Sequence, residues 1–494
     1  MDALTRIISA IAPGWAASRV IALSRLAMAK RYYEAAQSST RRPRRGNNAS
    51  ADAVMDRARG RLREYGRWLD ENHDLAVGVL DDLVTNTVGT GAGVEPMAKF
   101  SNGDAATDLN RQISELWAEF WEYPEITGEL PGTEVERLTC RSWLRDGEVF
   151  GQHVTSSVAP FKSRIPYGLE MLESDYVPYD MIDTNMRVVH GVEKDGWGRP
   201  LAYWVYRNHP GGTIPYTASS DVIRKPAIQI MHLKFVRRFG QTRGASIFHS
   251  VLTRLDDIKD YEESERIAAR VAAAFTAYVK RDGALADAYS TLSTGEEPET
   301  SVRNFTMEPG LIFDGLLPGE DVGVIDSKRP NPNVDSFRST MMRAVAAGTG
   351  TRFSSIAKNY NGTYSAQRQE LVEARAHYLR LFSYLRIKFY LPVWRNFINA
   401  SRLAGLLNVP GNVAPMSLYQ PEIRPPMMPW IDPKKEIEAY ALMVEYGFRA
   451  RPQVIRDLGD DPAKVDAILK ADTLDVRPKV SASSTSEDQQ DQAA

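Results

Sequence analysis

"KFVRRFGQTRGAS", residues 234–246, sets two glycines and four cationic side chains immediately ahead of a run with helical periodicity. Such a stretch is either a loop that cradles phosphate or a bend that delivers the chain into a rod. A phosphate loop needs Gly-x4-Gly-Lys followed by Ser or Thr, so that backbone amides and a lysine converge on the phosphates. Gly240 and Gly244 stand too close for that, and no Lys-Ser or Lys-Thr follows Gly244. Downstream, Ile247, Val251, Leu255 and Ile258 step at helical spacing, and Ile267, Val271, Phe275 and Tyr278 repeat it until Arg281-Asp282-Gly283 intervenes. The stretch is therefore a bend feeding a helix of about 35 residues and about 50 Å, with Ser246 as N-cap. That rod is acid-rich: Asp256, Asp257, Asp260, Glu262, Glu263 and Glu265 outnumber Arg254, Lys259, Arg266 and Arg270. The pattern is either a solvated face or a deliberately anionic surface.

Upstream of the bend, from about Thr133 to His232, short β-rich runs are separated by Pro, Gly, Asn and Asp, which predicts a mostly antiparallel sheet region. Val188 to Phe235 reads as a three-strand meander turned at "DGWGRP". Residues Ser50 to Thr87 read as helical, and "VGTGAG", Val88 to Gly93, ends that helix. Its glycines do not make a dinucleotide fingerprint, because a helix precedes them and Val94-Glu95-Pro96 follows.

Downstream, Asp282 to Pro332 is poor in helix signal, and "VDSFRSTMMRAVAAG" forms a second helix ending in "GTGTRFSSIAKNYNGTYS". A third helix carries Leu371, Tyr378, Phe382, Leu385, Phe389, Val393 and Phe397 on one stripe. It would reach about 55 to 60 Å, and Pro392 should kink it. Arg380, Arg386, Lys388 and Arg395 exclude a membrane span there. Two or three short helices follow, and the tail from Lys479 is polar and expected to be disordered.

A chain of 494 residues is too long for one compact core. Lys plus Arg (61) nearly balance Asp plus Glu (63), so no overall basic excess announces tight nucleic-acid binding. From Met1 to Asn48, however, nine Lys or Arg face two acids, a basic arm. Pro13-Gly14, Arg19 and Arg25 interrupt its apolar segment, against a secretory leader or a span. The single cysteine, Cys140, forms no internal disulfide, which fits a reducing compartment. Seven scattered histidines show no metal-binding spacing, Ser355-Ile-Ala-Lys358 lacks the companion motifs of penicillin-binding enzymes, and no carboxylate pair stands out. No catalytic residue, cofactor or metal is expected.

Two segments carry a resemblance: "RRFGQTRGASIFHSVLTRLDDIKDYEESERIAARVAAAF", and the region from "LPGEDVGV" through "RPNPNVDSFRSTMMRAVAAGTGTRFSSIAKNYNGTYSAQRQELVEAR". With Gln241-x-Arg243-Gly244, Asp256/Asp260-Tyr261, Pro318-Gly319-Glu320 and Tyr364-Ser365-x-x-Arg368, the chain resembles the portal proteins of lambda-like tailed bacteriophages from roughly Tyr32 to Asp472. It departs from the usual serine-rich version of "AKNYNGTYSAQR" at Thr363 and Ala366.

The resemblance implies an α+β portal fold: a β-rich wing, long stem helices, a clip, a long kinked wing helix and a helical C-terminal crown. It implies a basic arm over 1–49, wing over 50–245, stem helix over 246–280, clip over 281–333 and second stem helix over 334–348. A tunnel loop over 349–363, the wing helix and return segment over 364–430, crown over 431–478 and tail over 479–494 complete it. It further implies a homo-oligomeric ring, usually of twelve subunits, in the virion. Its partners would be double-stranded DNA, the terminase large subunit, a neck or adaptor protein and the major capsid protein or scaffold. The expected site residues are Arg352, Phe353, Ser354 and Lys358 in the tunnel loop, Asp256, Asp257, Asp260 and Glu263 on an anionic stem, and Pro318, Gly319 and Glu320 in the clip. A cytosolic nucleic-acid-acting enzyme with a helical regulatory domain, and a membrane-associated scaffold using Leu4 to Met28, are the competing classes.

Overall fold

The computed structural model describes Gly14, Ser18 and residues 48–156, 161–212, 222–273, 277–281, 320–324, 333–427 and 433–471. The chain divides into two compact units, Met1–Val54 and Met55–Ala494, and the architecture below is that of the second. Apart from Gly14, Ser18, Asn48 and Ala49, the basic arm lies outside the described residues, as do the tail, Pro318 and Gly319.

The expected first helix is two: α1 (Ala51–Asn72) and α2 (Asp74–Thr87). They part at His73, whose backbone is extended and whose buried Nε2 lies 2.9 Å from the Leu255 carbonyl. After the "VGTGAG" turn, β1 (Gly93–Glu95) pairs antiparallel with β11 (Glu422–Arg424), a distant part of the chain. Helices α3 (Thr107–Glu122) and α4 (Gly132–Asp146) follow. Both put their apolar positions on one face, as a helix on a core must.

The β-rich region is antiparallel, as read, but it forms two sheets. Strands β2 (Glu148–Thr155), β3 (Tyr167–Leu172) and β8 (Ile230–Lys234) make one, in the order β3-β2-β8. Strands β4 (Val188–Val189), β5 (Val192–Lys194), β6 (Pro200–Tyr206) and β7 (Val222–Pro226) make the other. The expected three-strand meander from Val188 to Phe235 is thus corrected. Pro226 ends β7, a single 3-10 turn (Ala227–Gln229) redirects the chain, and β8 crosses to pair with β2. A proline has no amide hydrogen to continue a ladder, which is why the sheet changes there.

The rod after the bend is also corrected. Ser246 is the N-cap, as expected, but of a 3-10 turn (Ile247–Ser250), its Oγ accepting from Phe248 N. Helix α5 then runs Leu252–Ala273, 22 residues, or about 33 Å. Tyr278 and Lys280 belong instead to β9 (Ala277–Arg281), paired antiparallel with β10 (Glu320–Val324). "AYVKR" carries the aromatic and β-branched residues that a paired strand favours, and the ladder with "EDVGV" competes successfully with helix extension. Glu320, expected in the clip, opens β10 opposite Arg281.

Helix α6 (Val334–Thr349) returns along α5. Tyr261 meets Phe337 with ring centroids 4.6 Å apart, Arg338 pairs with Glu262, and Gly348 approaches Val251, so the two are antiparallel. A short helix, α7 (Phe353–Ala357), stands inside the expected tunnel loop. Helix α8 (Tyr364–Leu385) continues through a π-helical turn (Arg386–Tyr390) into α9 (Leu391–Leu403). The π turn is where the Pro392 perturbation is taken up, one residue being added before the proline. The short α10 (Pro415–Leu418) and then α11 (Pro433–Glu445), α12 (Arg451–Asp457) and α13 (Pro462–Ala471) follow among the described residues.

The main core joins α2, α3, α4, the three-stranded sheet, α5, α6, α8 and α9. Its centre is aromatic: Trp117 lies 5.1 Å from both Trp394 and Phe397, and Phe120 stacks on Tyr167 at 5.3 Å. Cys140 is buried here, its thiol pushed up by burial and by Glu136. Among the described residues no helix is long and apolar enough to cross a membrane.

Candidate functional site: an anchored loop and the polar knots behind it

The opening bend proves to be a buried knot. Arg243 is fully buried, and its Nε donates to Glu148 Oε1 at 2.7 Å. Its Nη1 donates to the Val177 and His190 carbonyls at 3.1 and 2.9 Å, and its Nη2 to the Ser174 carbonyl at 3.0 Å. Glu148 Oε2 accepts the Gly244 amide at 2.9 Å and His232 Nε2 at 3.0 Å. Burial alone would raise the Glu148 carboxyl, but Arg243 and His232 hold it well below the usual carboxylate range. Burial drives His232 down to about 4 against the pull of Glu148. Arg243 is therefore the counter-charge and His232 a neutral donor.

Both glycines flanking this knot are obligatory. A Cβ on Gly244 would lie 1.8 Å from the Gly147 carbonyl oxygen, and one on Gly147 (φ +89) 2.3 Å from Ala245 C. Gln241 closes the bend by donating to the Arg243 carbonyl at 2.8 Å and accepting from Arg237 N at 3.1 Å. "GQTRG" clamps the start of β2 to the head of α5 and offers no phosphate a free amide cradle.

On α5, Asp257, Asp260 and Glu263 are exposed at three-residue spacing, one line along the helix, while Asp256 is half-buried. Asp256 accepts the Tyr65 hydroxyl, whose pKa rises to about 12 through burial first and this carboxylate second. Glu262 turns the other way, to Arg338 of α6. Lys259 is drawn off the acidic line, donating to the Asn72 carbonyl at 3.0 Å and lying 4.5 Å over the Trp68 ring.

The segment 349–363 is fixed at both ends and exposed at its tip. Gly350 (φ +77) caps α6, and a Cβ there would meet the His377 ring at 2.8 Å. Asp82 of α2, 7% exposed, is the central anchor. It accepts Arg352 Nη2 at 3.0 Å and Ser355 Oγ at 2.5 Å on one oxygen, and the Tyr378 hydroxyl at 2.5 Å on the other. Burial alone would lower the Arg352 pKa, but Asp82 outweighs it and raises the net value. Arg343 lies 5.0 Å over the Phe353 ring, and Ser354 N donates to Glu370 Oε1 at 3.2 Å.

Beyond α7 the loop projects. Lys358 is exposed and left-handed (φ +50), and Tyr360 is 60% exposed. A left-handed lysine costs roughly 1 kcal/mol relative to glycine, so this turn keeps a cation where a glycine would relax it. The two departures noted in sequence form one cap: Thr363 Oγ1 accepts the Ala366 amide at 3.4 Å at the start of α8.

Residues 37–381 match the family model described as "Phage portal protein, lambda family". The chain belongs to that family. It is 26% identical over 429 residues to the "Probable portal protein" of Halomonas phage phiHAP-1, covering 85% of this chain and 81% of that one. It is 19% identical over 403 residues to "Portal protein B" of Escherichia phage lambda, covering 76% and 75%. Among solved structures, a chain in the "Neck of native GTA particle computed with C12 symmetry" is similar at TM-score 0.43 and 13% identity, over 84% of this chain and all of that one.

Within this portal chain, sequence reasoning brought Arg352, Phe353, Ser354 and Lys358 into one loop but missed Asp82, which anchors it from 270 residues away. No local signal marks Asp82: it is one acid of the pair Asp81-Asp82 on an amphipathic helix. Nor did spacing reveal Glu173, Asp175 and His209, whose ligand atoms lie within 4.8 Å of one another. His209 Nδ1 accepts the Gly211 amide at 3.0 Å, which leaves Nε2 as the proton-bearing nitrogen of the neutral ring. Arg67 and Arg63 already hold Asp175 at 2.6 and 3.0 Å. This cluster is an arginine–carboxylate network rather than a cation site.

Proposed function

We propose that the chain is the ring-forming subunit of a head–tail connector, sitting in the virion at one capsid vertex, through which the genome enters during packaging and leaves at ejection. The observation that carries this reading is the portal-family match across residues 37–381. In this reading twelve copies close the ring, α5 and α6 form the stem, and the β9–β10 ribbon is the root of the clip that meets the terminase large subunit and later the neck protein. The β-rich sheets and the α8–α9 rod form the wing that faces capsid protein or scaffold, and α11 to α13 form the crown.

The loop tip and the acidic line on α5 supply the channel's chemistry. Carboxylates along a wall repel the DNA backbone, whereas a lining of cations would exchange counterions with phosphates and hold the duplex fast. Asp257, Asp260 and Glu263 therefore keep the passage slippery. Lys358, one cation per subunit at an exposed tip, gives limited contact with the passing duplex, while Arg352 positions the tip through Asp82. The portal-family match across residues 37–381 favours this reading over an enzyme.

The test is a packaging reaction with particles carrying Lys358→Gly. That change removes the charge and relaxes the left-handed backbone, so folding is preserved. Packaged DNA or its retention should fall several-fold; unaltered packaging and retention would remove Lys358 from the channel.

A further inference from the structure

We propose that the aromatic turn at Tyr446 and Phe448 inserts into a cavity beside Arg375 on the neighbouring copy of this chain, linking the C-terminal helices of successive subunits head to tail. The inference rests on the ring reading and adds a contact to it.

The receiving cavity measures about 570 Å³ and lies between α8 and α11, with Val372, Arg375, Leu379, Pro426, Tyr440 and Met443 in its walls. That size falls within the roughly 300–1,000 Å³ of sites that enclose a ligand. Its arginines are not alike. Arg368 faces Glu436 at 3.8 Å, Arg449 pairs with Asp457, and Arg456 forks onto Glu95 at 3.1 and 3.2 Å. Arg375 is half-buried and donates to one neutral carbonyl, Pro426 O, at 3.2 Å. Among the described residues this half-buried guanidinium is held by that one carbonyl, and an aromatic face is a chemically suitable second partner. The apolar walls and the arginines already neutralised by carboxylates favour an aromatic occupant over a phosphate.

The inserting turn has a hydrogen-bonded backbone of defined geometry. Helix α11 ends in a Schellman motif: Phe448 N donates to the Met443 carbonyl at 2.9 Å and Gly447 N to the Val444 carbonyl at 3.1 Å, with Gly447 at φ +73. In that motif the apolar residue after the glycine commonly folds back on its own helix. Here Phe448 is 80% and Tyr446 69% exposed, their rings 6.4 Å apart. Met443 and Arg449 face the cavity, whereas Tyr446 and Phe448 between them do not. Projection and socket thus occupy different faces of one turn, the arrangement a heterologous, ring-closing contact requires. Helices α11 and α12 bury no residue in the single chain, and Ile437 and Leu442 stand half exposed. Aromatic anchors held in place before binding are the usual energetic centre of an interface.

The experiment uses the full chain carrying Phe448→Cys with Leu379→Cys. The native Cys140 is fully buried and does not compete. Mild oxidation of assembled rings should give a ladder of covalent multiples on a non-reducing gel, absent from either single variant. Rings that yield no ladder would overturn the contact. In parallel, Tyr446→Ala with Phe448→Ala should raise the concentration at which rings half-dissociate by tenfold or more while leaving the monomer's circular dichroism unchanged. Unchanged dissociation would overturn the proposal but leave the ring standing, whereas absence of rings from the unmodified chain would remove the ring reading and this inference with it. If Arg375→Ala abolishes duplex DNA binding and leaves dissociation unaltered, the cavity serves phosphate and the proposal fails.

Discussion

At the scale of single residues, the chain stakes most on Arg243. Its guanidinium and Glu148 are both inside, so removing one partner strands the other as an uncompensated buried charge. Arg243→Met should therefore cost about 3 to 5 kcal/mol, read by urea denaturation, and adding Glu148→Gln to it should recover a substantial part. Losses that simply add would show that the two groups do not act as a pair. A second residue-scale prediction concerns pH. Burial pushes His153, His232 and His377 each down to about 4. Their folded values lie below the unfolded value of about 6.5, so their contribution is intact above that pH and is lost as pH falls through 4. Glu136 runs the opposite way: burial pushes it up to about 8, against the Ala92 amide, Tyr390 and Trp121, whose hydrogen bonds pull it down. Its contribution is intact at low pH and is lost as pH rises toward 8, so Glu136→Gln should raise the melting temperature at pH 9 more than at pH 5. An equal shift at both pH values would contradict a protonated Glu136.

At the scale of elements, the loop depends on its anchor more than on its own sequence. Asp82→Ala removes the acceptor of Arg352, Ser355 and Tyr378 together. Trypsin should then cut after Arg352 and Lys358 at least tenfold faster, with overall stability lower by about 1 to 3 kcal/mol. Unchanged cleavage would mean that the Phe353 and Glu370 contacts suffice. Periodicity alone made α6, α8 and α9 legible, because an apolar stripe of period 3.6 has one folded solution. It also identified Ser246 as a cap. The end of α5 was not legible: Phe275 and Tyr278 continue a helical stripe, and only the ladder with Glu320–Val324, about 40 residues on in sequence, favours a strand at Ala277. The division into two sheets was hidden for the same reason, since β8's partner β2 lies some 80 residues upstream. Local pattern shows which residues face a core, and long-range pairing decides which core.

At the scale of the whole molecule, charge balance and scattered histidines said little, and the order of modest motifs along the chain said most. The bend that resembled a phosphate cradle turned out to hold a carboxylate of the chain itself, Glu148, with Arg243 spent on that carboxylate and Lys234 on the Gln241 and Thr242 carbonyls. Exposed apolar residues stand on several elements: Ile437, Leu442, Tyr446 and Phe448 on α11 and its turn, Ile468 and Leu469 on α13, Phe239 in the bend, Leu403 at the end of α9, and Trp197, 90% exposed, at the tip of the β5–β6 hairpin. Patches of this kind mark surfaces completed by association. The most direct test of the account is the mass and symmetry of the purified full-length protein, by native mass measurement with particle imaging. The account predicts a closed ring of about a dozen copies around a central hole, as heterologous contacts that close require. A protein that remains a monomer or a two-fold dimer at every concentration and ionic strength would contradict it.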